Sequence, residues 1–185
     1  HHHEYYSIYR TIGFVSKERL NNYKLAESYL ALCFQHSPQD NMVAQNYIET
    51  LEYLQNFKDL VSVYEQLVAI PANNKDKAIW YRKLGSIIEN DGKGQEEQAI
   101  SYYRQAIELN SDDVLALSNL GRLYHRTQRW NELYRLYQYE INLTKDSVQK
   151  KSLQMQAAFV AEEYLESPDK AMSLYEAVLS SHPDD

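Results

Sequence analysis

Residues 81–88 read YRKLGSII, and residues 117–124 read LSNLGRLY. Each stretch combines a Leu-Gly pair with large apolar residues on either side of it at helical spacing. Tyr103 and Tyr137 follow the two stretches and lie 34 residues apart. A fixed period of about this length indicates a repeated supersecondary unit. We therefore expect residues 81–143 to contain two copies of one helix pair.

The residue types suggest how each predicted pair packs. Gly85, in the first helix of its pair, would let the second helix approach closely, and Gly121 would do the same in the next copy. Ala99 and Leu133 would fit against them from the second helices, and aromatics such as Tyr103 would fill the space between neighbouring pairs. One pair cannot bury its apolar face alone, so copies must stack.

These residues resemble the tetratricopeptide repeat, whose signature runs Trp-x-x-Leu-Gly-x-x-Tyr, then Ala-x-x-x-Phe, then Pro. Leu84-Gly85 and Leu120-Gly121 with their flanking aromatics are the best matches. The resemblance implies an all-α fold, a right-handed superhelical solenoid of about five antiparallel helix pairs. It also implies a protein-protein interaction scaffold.

The pattern can be followed outward over nearly the whole chain. We assign residues 1–5 to a tag remnant and lead-in, because His1, His2 and His3 are typical of an expression tag. Residues 6–185 form a single array with units of approximately 6–40, 41–77, 78–113, 114–150 and 151–185. An aromatic residue opens the second helix in three of them: Tyr23, Phe57 and Trp130. In the fifth, Pro168 occupies a favourable first helical position.

The array is expected to be a fragment of a longer protein. Pro183 closes the last unit, and no polar capping helix follows it, although terminal repeats usually need one. Other parts of the natural protein would then carry further activities.

Composition restricts the classes of function. The chain has 185 residues, 44% of them hydrophobic, with a net charge of -7 and only 5 Gly and 4 Pro. Few turn residues favour long helices, and the negative charge argues against binding nucleic acid or anionic membranes. No apolar run approaches the roughly 20 residues that span a bilayer, so we expect no membrane insertion. We expect a soluble chain, leave the compartment open with the cytoplasm slightly favoured, and interpret the single cysteine, Cys33, as buried.

No catalytic or metal-binding constellation is recognisable. His36, His125 and His182 lack metal-ligand spacing. Gly92-x-Gly94 lacks the remaining residues of a phosphate-binding loop. We therefore predict no enzyme activity, no cofactor and no metal.

One basic region stands out. Residues 114–135 carry four arginines and one acid, a local charge of +3 in a chain of -7. Arg122 and Arg126 are four residues apart, hence on one helical face. The resemblance implies that such first-helix positions line the concave groove that holds a partner peptide, and that Arg82 and Asn119 face it too. The predicted partner-binding residues are thus Arg82, Asn119, Arg122 and Arg126. The alternative is ordinary surface arginine paired with neighbouring acids.

Some members of the family clamp the terminal carboxylate of a chaperone peptide. Arg82 and Asn119 match two of the clamp positions, whereas Ser86, Ser152 and Gln156 replace the Asn, Lys and Arg expected at the others. The sequence therefore favours a looser site, with an acidic segment as one candidate ligand.

The predicted function is a scaffold that binds a protein or peptide segment in the concave groove. Two alternatives remain open at this stage. One is an array that associates with copies of itself, either end to end or through Tyr134, Tyr137 and Tyr139 of the fourth unit. The other is a regulatory arm of an enzyme whose catalytic domain lies outside this sequence.

Overall fold

The computed structural model describes residues 2–91 and 94–181, with side chains from residue 5 onward. Over these ranges it consists of ten α-helices joined by short turns, and it contains no β-strand. The predicted all-α class is therefore confirmed. The chain divides into two compact parts, which we call the N-terminal segment (His1–Asn110) and the C-terminal segment (Ser111–Asp185).

The N-terminal segment contains three helix pairs. Each helix packs on the next along the chain, and α1 also contacts α3. Its core is formed by Leu30, Phe34, Leu51, Leu60 and Leu84, all of which are almost fully buried. The helices are α1 (His2–Glu18), α2 (Tyr23–His36), α3 (Asn41–Tyr53), α4 (Phe57–Ala69), α5 (Asn74–Asn90) and α6 (Glu96–Leu109).

The C-terminal segment contains two pairs: α7 (Val114–Arg126), α8 (Trp130–Leu143), α9 (Ser147–Glu163) and α10 (Pro168–Ser181). Its helices also pack consecutively. Ala158, Ala161 and Ala171 form one buried cluster, where small side chains let α9 and α10 approach closely. Leu153 and Ala157 extend the packing of α9 to Ile141 on α8.

Side-chain caps explain where most helices begin. Asp40, Asn56 and Asn73 accept hydrogen bonds from backbone N–H groups in the first turns of α3, α4 and α5. Asp113 and Asp146 do the same for α7 and α9. Each cap satisfies donors that have no partner within the helix.

The second helices begin where the sequence indicates. Tyr23, Phe57, Trp130 and Pro168 are the first residues of α2, α4, α8 and α10. Two first helices begin earlier than the starts of their predicted units, at Asn74 against residue 78 and at Ser147 against residue 151. In both cases a capping residue, Asn73 or Asp146, sets the start. The first helix, α1, extends back to His2, within the predicted lead-in.

The same backbone conformation recurs in the turn inside every pair. Two residues before each second helix lies a residue with positive φ: Asn21, Gln55, Gly94, Gln128 and Glu166. After Gln55, the backbone N–H of Asn56 bonds to the carbonyl of Leu51 at 2.9 Å. After Gln128, the N–H of Arg129 bonds to the carbonyl of Tyr124 at 2.8 Å. These are the six-to-one bonds of a Schellman motif, which ends one helix and redirects the chain.

The two signature glycines pack differently. A Cβ atom on Gly85 would lie 2.7 Å from the ring of Tyr103, so this glycine does permit the close approach that the sequence suggests. A Cβ on Gly121 would meet Leu136 only at 3.5 Å, an ordinary contact distance. Close approach is therefore confirmed at Gly85 but not required at Gly121. Tyr103 is fully buried, whereas Tyr137 is only half-buried.

Candidate protein-binding grooves

The four predicted partner-binding residues lie on two helices. Arg82 lies on α5 of the N-terminal segment and is half-buried. Asn119, Arg122 and Arg126 lie on α7 of the C-terminal segment, where both arginines are exposed. Residues 119, 122 and 126 follow one another by three and four positions and so share one helical face. The α7 sequence, VLALSNLGRLYHR, contains no acidic residue, so this helix carries net positive charge.

A groove lies beside this helix. It has a volume of about 260 Å3, and we call it the C-terminal groove. α7 contributes His125, α8 contributes Leu133 and Tyr137, and the α9 side contributes Met155, Gln156, Phe159, Val160 and Tyr164. The first helices of two successive pairs thus form its walls, and the second helix between them forms its floor.

The α9 wall exposes large apolar side chains. Met155 is 44% exposed, Phe159 51% and Tyr164 40%. On the floor, burial raises the pKa of the Tyr137 hydroxyl, with a smaller contribution from the nearby Glu140. Exposed apolar side chains grouped in one depression are the usual mark of a binding surface.

Ring contacts hold one end of this groove in place. Tyr164 stacks on Trp130 with ring centroids 3.8 Å apart and planes inclined by 9°. Phe159 meets Tyr164 edge to face at 5.9 Å, and His125 meets Trp130 in the same way at 5.2 Å. Such geometries are favourable for aromatic rings. His125 belongs to the arginine-bearing helix, so these contacts connect α7 to the apolar wall.

The equivalent groove in the N-terminal segment is larger, about 470 Å3, and has a different character. α3 and α5 form its walls, and Tyr64 and Leu67 of α4 form its floor. Its lining includes Ile48, Ile79 and Trp80 together with Glu49, Glu52, Asp76 and Lys83. We call it the N-terminal groove.

Charges of both signs meet in the N-terminal groove. The Lys83 ammonium lies 3.5 Å from the Glu52 carboxylate. Burial raises the pKa of Tyr64 well above its usual range; the charge of Glu52 adds to the rise and that of Arg82 opposes it. Arg82 therefore acts on the same hydroxyl as an acidic neighbour, and its surroundings are mixed in charge.

The sequence reasoning missed the apolar lining of the C-terminal groove, but a signal was available. Phe159 directly follows Ala158, just as Arg122 follows Gly121 and Glu49 follows Ile48. Glu49 and Phe159 both line grooves. In α3 and α9, the residue after the small or medium residue of the first helix therefore faces a groove.

Sites of other kinds are not found in the part of the chain that the structure describes. Within residues 2–91 and 94–181, no group of three or more His, Cys, Asp or Glu side chains is placed to hold a metal ion. None of the helices over the same ranges is both long and apolar enough to cross a membrane. Two sequence features, His182 and the complete Gly92-x-Gly94 turn, lie outside the described residues.

Models of known protein families match part of this chain. A TPR repeat model matches residues 93–128, and a tetratricopeptide repeat model matches residues 116–147. Residues 93–147 therefore carry tetratricopeptide repeats, and the helix pairs on either side of them pack in the same consecutive way. The tetratricopeptide fold is that of a protein-protein interaction scaffold, whose stacked helix pairs present extended binding surfaces.

Individual relatives are distant. The photosystem I assembly protein Ycf3 of Synechococcus sp. (strain CC9605) is 30% identical over 91 residues, which are 49% of this chain and 47% of that protein. The chain spans less than half the length of the curated relatives it matches.

Solved structures show the same fold over nearly the whole chain. The crystal structure of MamA superposes with a TM-score of 0.59 at 18% identity, covering 97% of this chain and 93% of the other. The structure of YrrB, a TPR protein with an unusual peptide-binding site, gives a TM-score of 0.55 at 16% identity, covering 97% and 86%. At these identities the likeness concerns the fold alone.

Proposed function

We propose that this tetratricopeptide protein is a scaffold that holds an extended, acidic segment of a partner protein on the first-helix face of its C-terminal segment. One observation carries the proposal: an exposed apolar groove adjoins a helix that has two exposed arginines and no acid. The proposal assigns no catalytic step to the chain.

The apolar groove and the arginines of α7 would contribute differently to binding. Buried apolar contacts supply most of the affinity at protein interfaces, usually from a few central side chains. Exposed charges contribute less to affinity, but they speed association and select the partner. Arg122 and Arg126 would therefore favour an acidic segment and orient it, and Asn119 would add a hydrogen-bonding amide on the same face.

Arg82 is proposed as a separate and weaker contact in the N-terminal segment. Its half-buried position and its acidic neighbour Glu52 leave less of its charge available to a ligand. The N-terminal groove carries three acids and one base among its lining residues. We therefore expect Arg82 to matter less for an acidic ligand than the two arginines of α7.

Charge reversal tests the proposal. We expect the double variant Arg122→Glu/Arg126→Glu to lose partners that the unchanged protein captures from extracts at low salt, because attraction becomes repulsion. Arg135→Glu is the matched control, since Arg135 is an exposed arginine on the second helix α8. Mass spectrometry of the captured proteins provides the comparison. If the double variant and the control retain the same partners in equal amounts, the acidic site is refuted.

A further inference from the structure

We infer that the C-terminal groove receives one large apolar side chain of the partner segment, next to a carboxylate that meets Arg122. This inference rests on the proposed function and specifies its ligand: an acidic segment that contains Phe, Leu or Met.

The size of the groove indicates a single side chain. Its volume is about 260 Å3, whereas pockets for small-molecule ligands usually measure about 300–1,000 Å3. The groove is therefore too small for a drug-sized molecule and large enough for one bulky residue.

The lining indicates an apolar occupant. Seven of the eight lining residues carry aliphatic, aromatic or imidazole groups or the thioether of Met155, and Gln156 is the exception. Phe159 and Tyr164 offer ring faces and edges to an aromatic or aliphatic guest. Met155 is flexible and polarisable, so it can adjust to residues of different shape.

The groove is also held in shape before binding. The stack of Trp130 on Tyr164 and the edge contacts of Phe159 and His125 fix its aromatic end. A binding site that is already ordered loses less conformational entropy when a ligand arrives. A single anchoring side chain can then give measurable affinity.

The positive charge of Arg122 indicates which residue of the partner segment lies next to the anchoring apolar side chain. Arg122 precedes His125 by three residues on α7, so both side chains lie on one helical face, one turn apart. His125 lines the groove, so Arg122 lies one helical turn from a residue of the groove. Guanidinium groups bind carboxylates with directed, charge-assisted hydrogen bonds. A carboxylate close in sequence to the apolar anchor satisfies both contacts at once.

Tryptophan fluorescence gives a direct readout of the groove. The chain has two tryptophans, Trp80 and Trp130. A Trp80→Phe background leaves Trp130 as the reporter, stacked on the groove residue Tyr164. The probes are short synthetic peptides that are rich in Asp and Glu and differ only at one central position, occupied by Phe, Leu, Ala or Ser. A lysine-rich peptide with central Phe is the charge control.

We expect the acidic Phe and Leu peptides to bind about tenfold tighter than the Ser peptide, a difference of roughly 1.4 kcal/mol. Phe159→Ala should abolish this preference and leave the residual affinity for acidic peptides unchanged. Leu179→Ala, which truncates an exposed apolar residue on α10 (61% exposed against 51% for Phe159), should retain the preference. Denaturation curves of both variants verify that they remain folded.

The outcomes separate the inference from the proposed function. If Arg122→Glu/Arg126→Glu weakens all acidic peptides but the central residue has no effect, the acidic site stands and the apolar anchor is refuted. If acidic and lysine-rich peptides bind alike, the proposed function fails as well. If the unliganded protein dimerises and Phe159→Ala makes it monomeric, a second copy occupies the groove and the inference is wrong.

Discussion

Gly85 and Gly121 occupy the same place in the repeat, yet their surroundings differ. The ring of Tyr103 lies directly over Gly85, and its hydroxyl donates a hydrogen bond to the buried carboxylate of Glu89 at 2.9 Å. In the next pair, Leu136 and Leu133 approach Gly121, and Tyr137 lies on the floor of the C-terminal groove. The Leu-Gly pair identifies the repeat but does not determine which side chain packs on the glycine.

Alanine substitution should therefore act in opposite directions at the two glycines. Gly85→Ala places a methyl group 2.7 Å from a buried ring, and overpacking of this kind costs about 1–3 kcal/mol. Gly121→Ala meets only ordinary contacts and gains helix propensity worth up to about 1 kcal/mol. Urea denaturation followed by circular dichroism measures both changes. Equal destabilisation by the two substitutions would contradict the difference in packing.

The residues with positive φ show that residue type predicts the backbone conformation of a turn only in part. Gly94 and Asn21 are residue types that adopt this conformation readily, whereas Gln55, Gln128 and Glu166 are not. At these three positions the conformation follows from the need to end one helix and start the next within a few residues. Side-chain type alone therefore reveals only some of the five turns.

At the scale of elements, spacing predicts which helices exist, and capping chemistry determines where they begin. The Leu-Gly repeats and the aromatics at Tyr23, Phe57 and Trp130 indicate the helix pairs correctly. The repeat spacing misses the first turns of α5 and α9, because those turns carry no signature residue. Asn73 and Asp146 are the missing signals, since each can cap a helix.

A buried lysine links α1 to α3. The side chain of Lys17 is only 10% exposed, and its ammonium donates hydrogen bonds to Asn46 at 2.8 Å and to the carboxylate of Glu49. This hydrogen bond from Lys17 holds the pKa of Glu49 below its usual value, although partial burial opposes the effect. The contact therefore stabilises the ionised carboxylate.

Neutralising Glu49 should weaken this link. We expect Glu49→Gln to reduce the free energy of unfolding by about 1 kcal/mol, because the buried ammonium then keeps only the exposed Glu18 as a charged partner. Glu18→Gln is the control, since Glu18 lies 3.4 Å from the same ammonium but is 64% exposed. Lys17→Met added to Glu49→Gln should recover stability. If the double variant is no more stable than Glu49→Gln alone, the ammonium charge of Lys17 is not the cause of the destabilisation.

The pH dependence of this effect has a defined sign. The folded pKa of Glu49 is below the unfolded value of about 4.3. Its contribution is therefore complete above that unfolded value and is lost as the pH falls through the lower folded value. The stability difference between the unchanged protein and Glu49→Gln should shrink below about pH 4. A difference that stays constant down to strongly acidic pH would contradict this assignment.

At the scale of the whole molecule, the fold is largely predictable from the sequence, whereas the proposed binding site depends on exposure that only the structure shows. Repetition makes the fold predictable, because the same arrangement of packing residues recurs several times in one sequence. The binding surface depends on positions that vary between copies: Glu49, Ser86, Arg122 and Phe159 occupy one repeat position with four different chemistries. Charge alone makes Arg122 a candidate in the sequence, whereas Phe159 becomes a candidate only through its exposure in the groove.

Self-association is the main rival to a scaffold that binds other proteins. For an end-to-end contact, the first and last helices offer only the following exposed large apolar side chains among the described residues: Tyr5, Ile8 and Val15 on α1, and Met172 and Leu179 on α10. Even an aromatic side chain buries only about 150–250 Å2, so two or three mostly aliphatic ones provide less than the roughly 800 Å2 per partner that a stable interface needs. The net charge of -7 adds repulsion between copies.

We therefore expect light scattering to give a constant mass near 21.8 kDa at all protein concentrations in physiological salt. The double variant Met172→Lys/Leu179→Lys is the matched control and should have the same mass, because its substitutions lie on an exposed face that needs no partner. A mass that rises with concentration in the unchanged protein, and falls back to one copy in this variant, would favour a self-assembling array. In that case the α10 face, with Met172 and Leu179, would be the functional surface in place of the C-terminal groove.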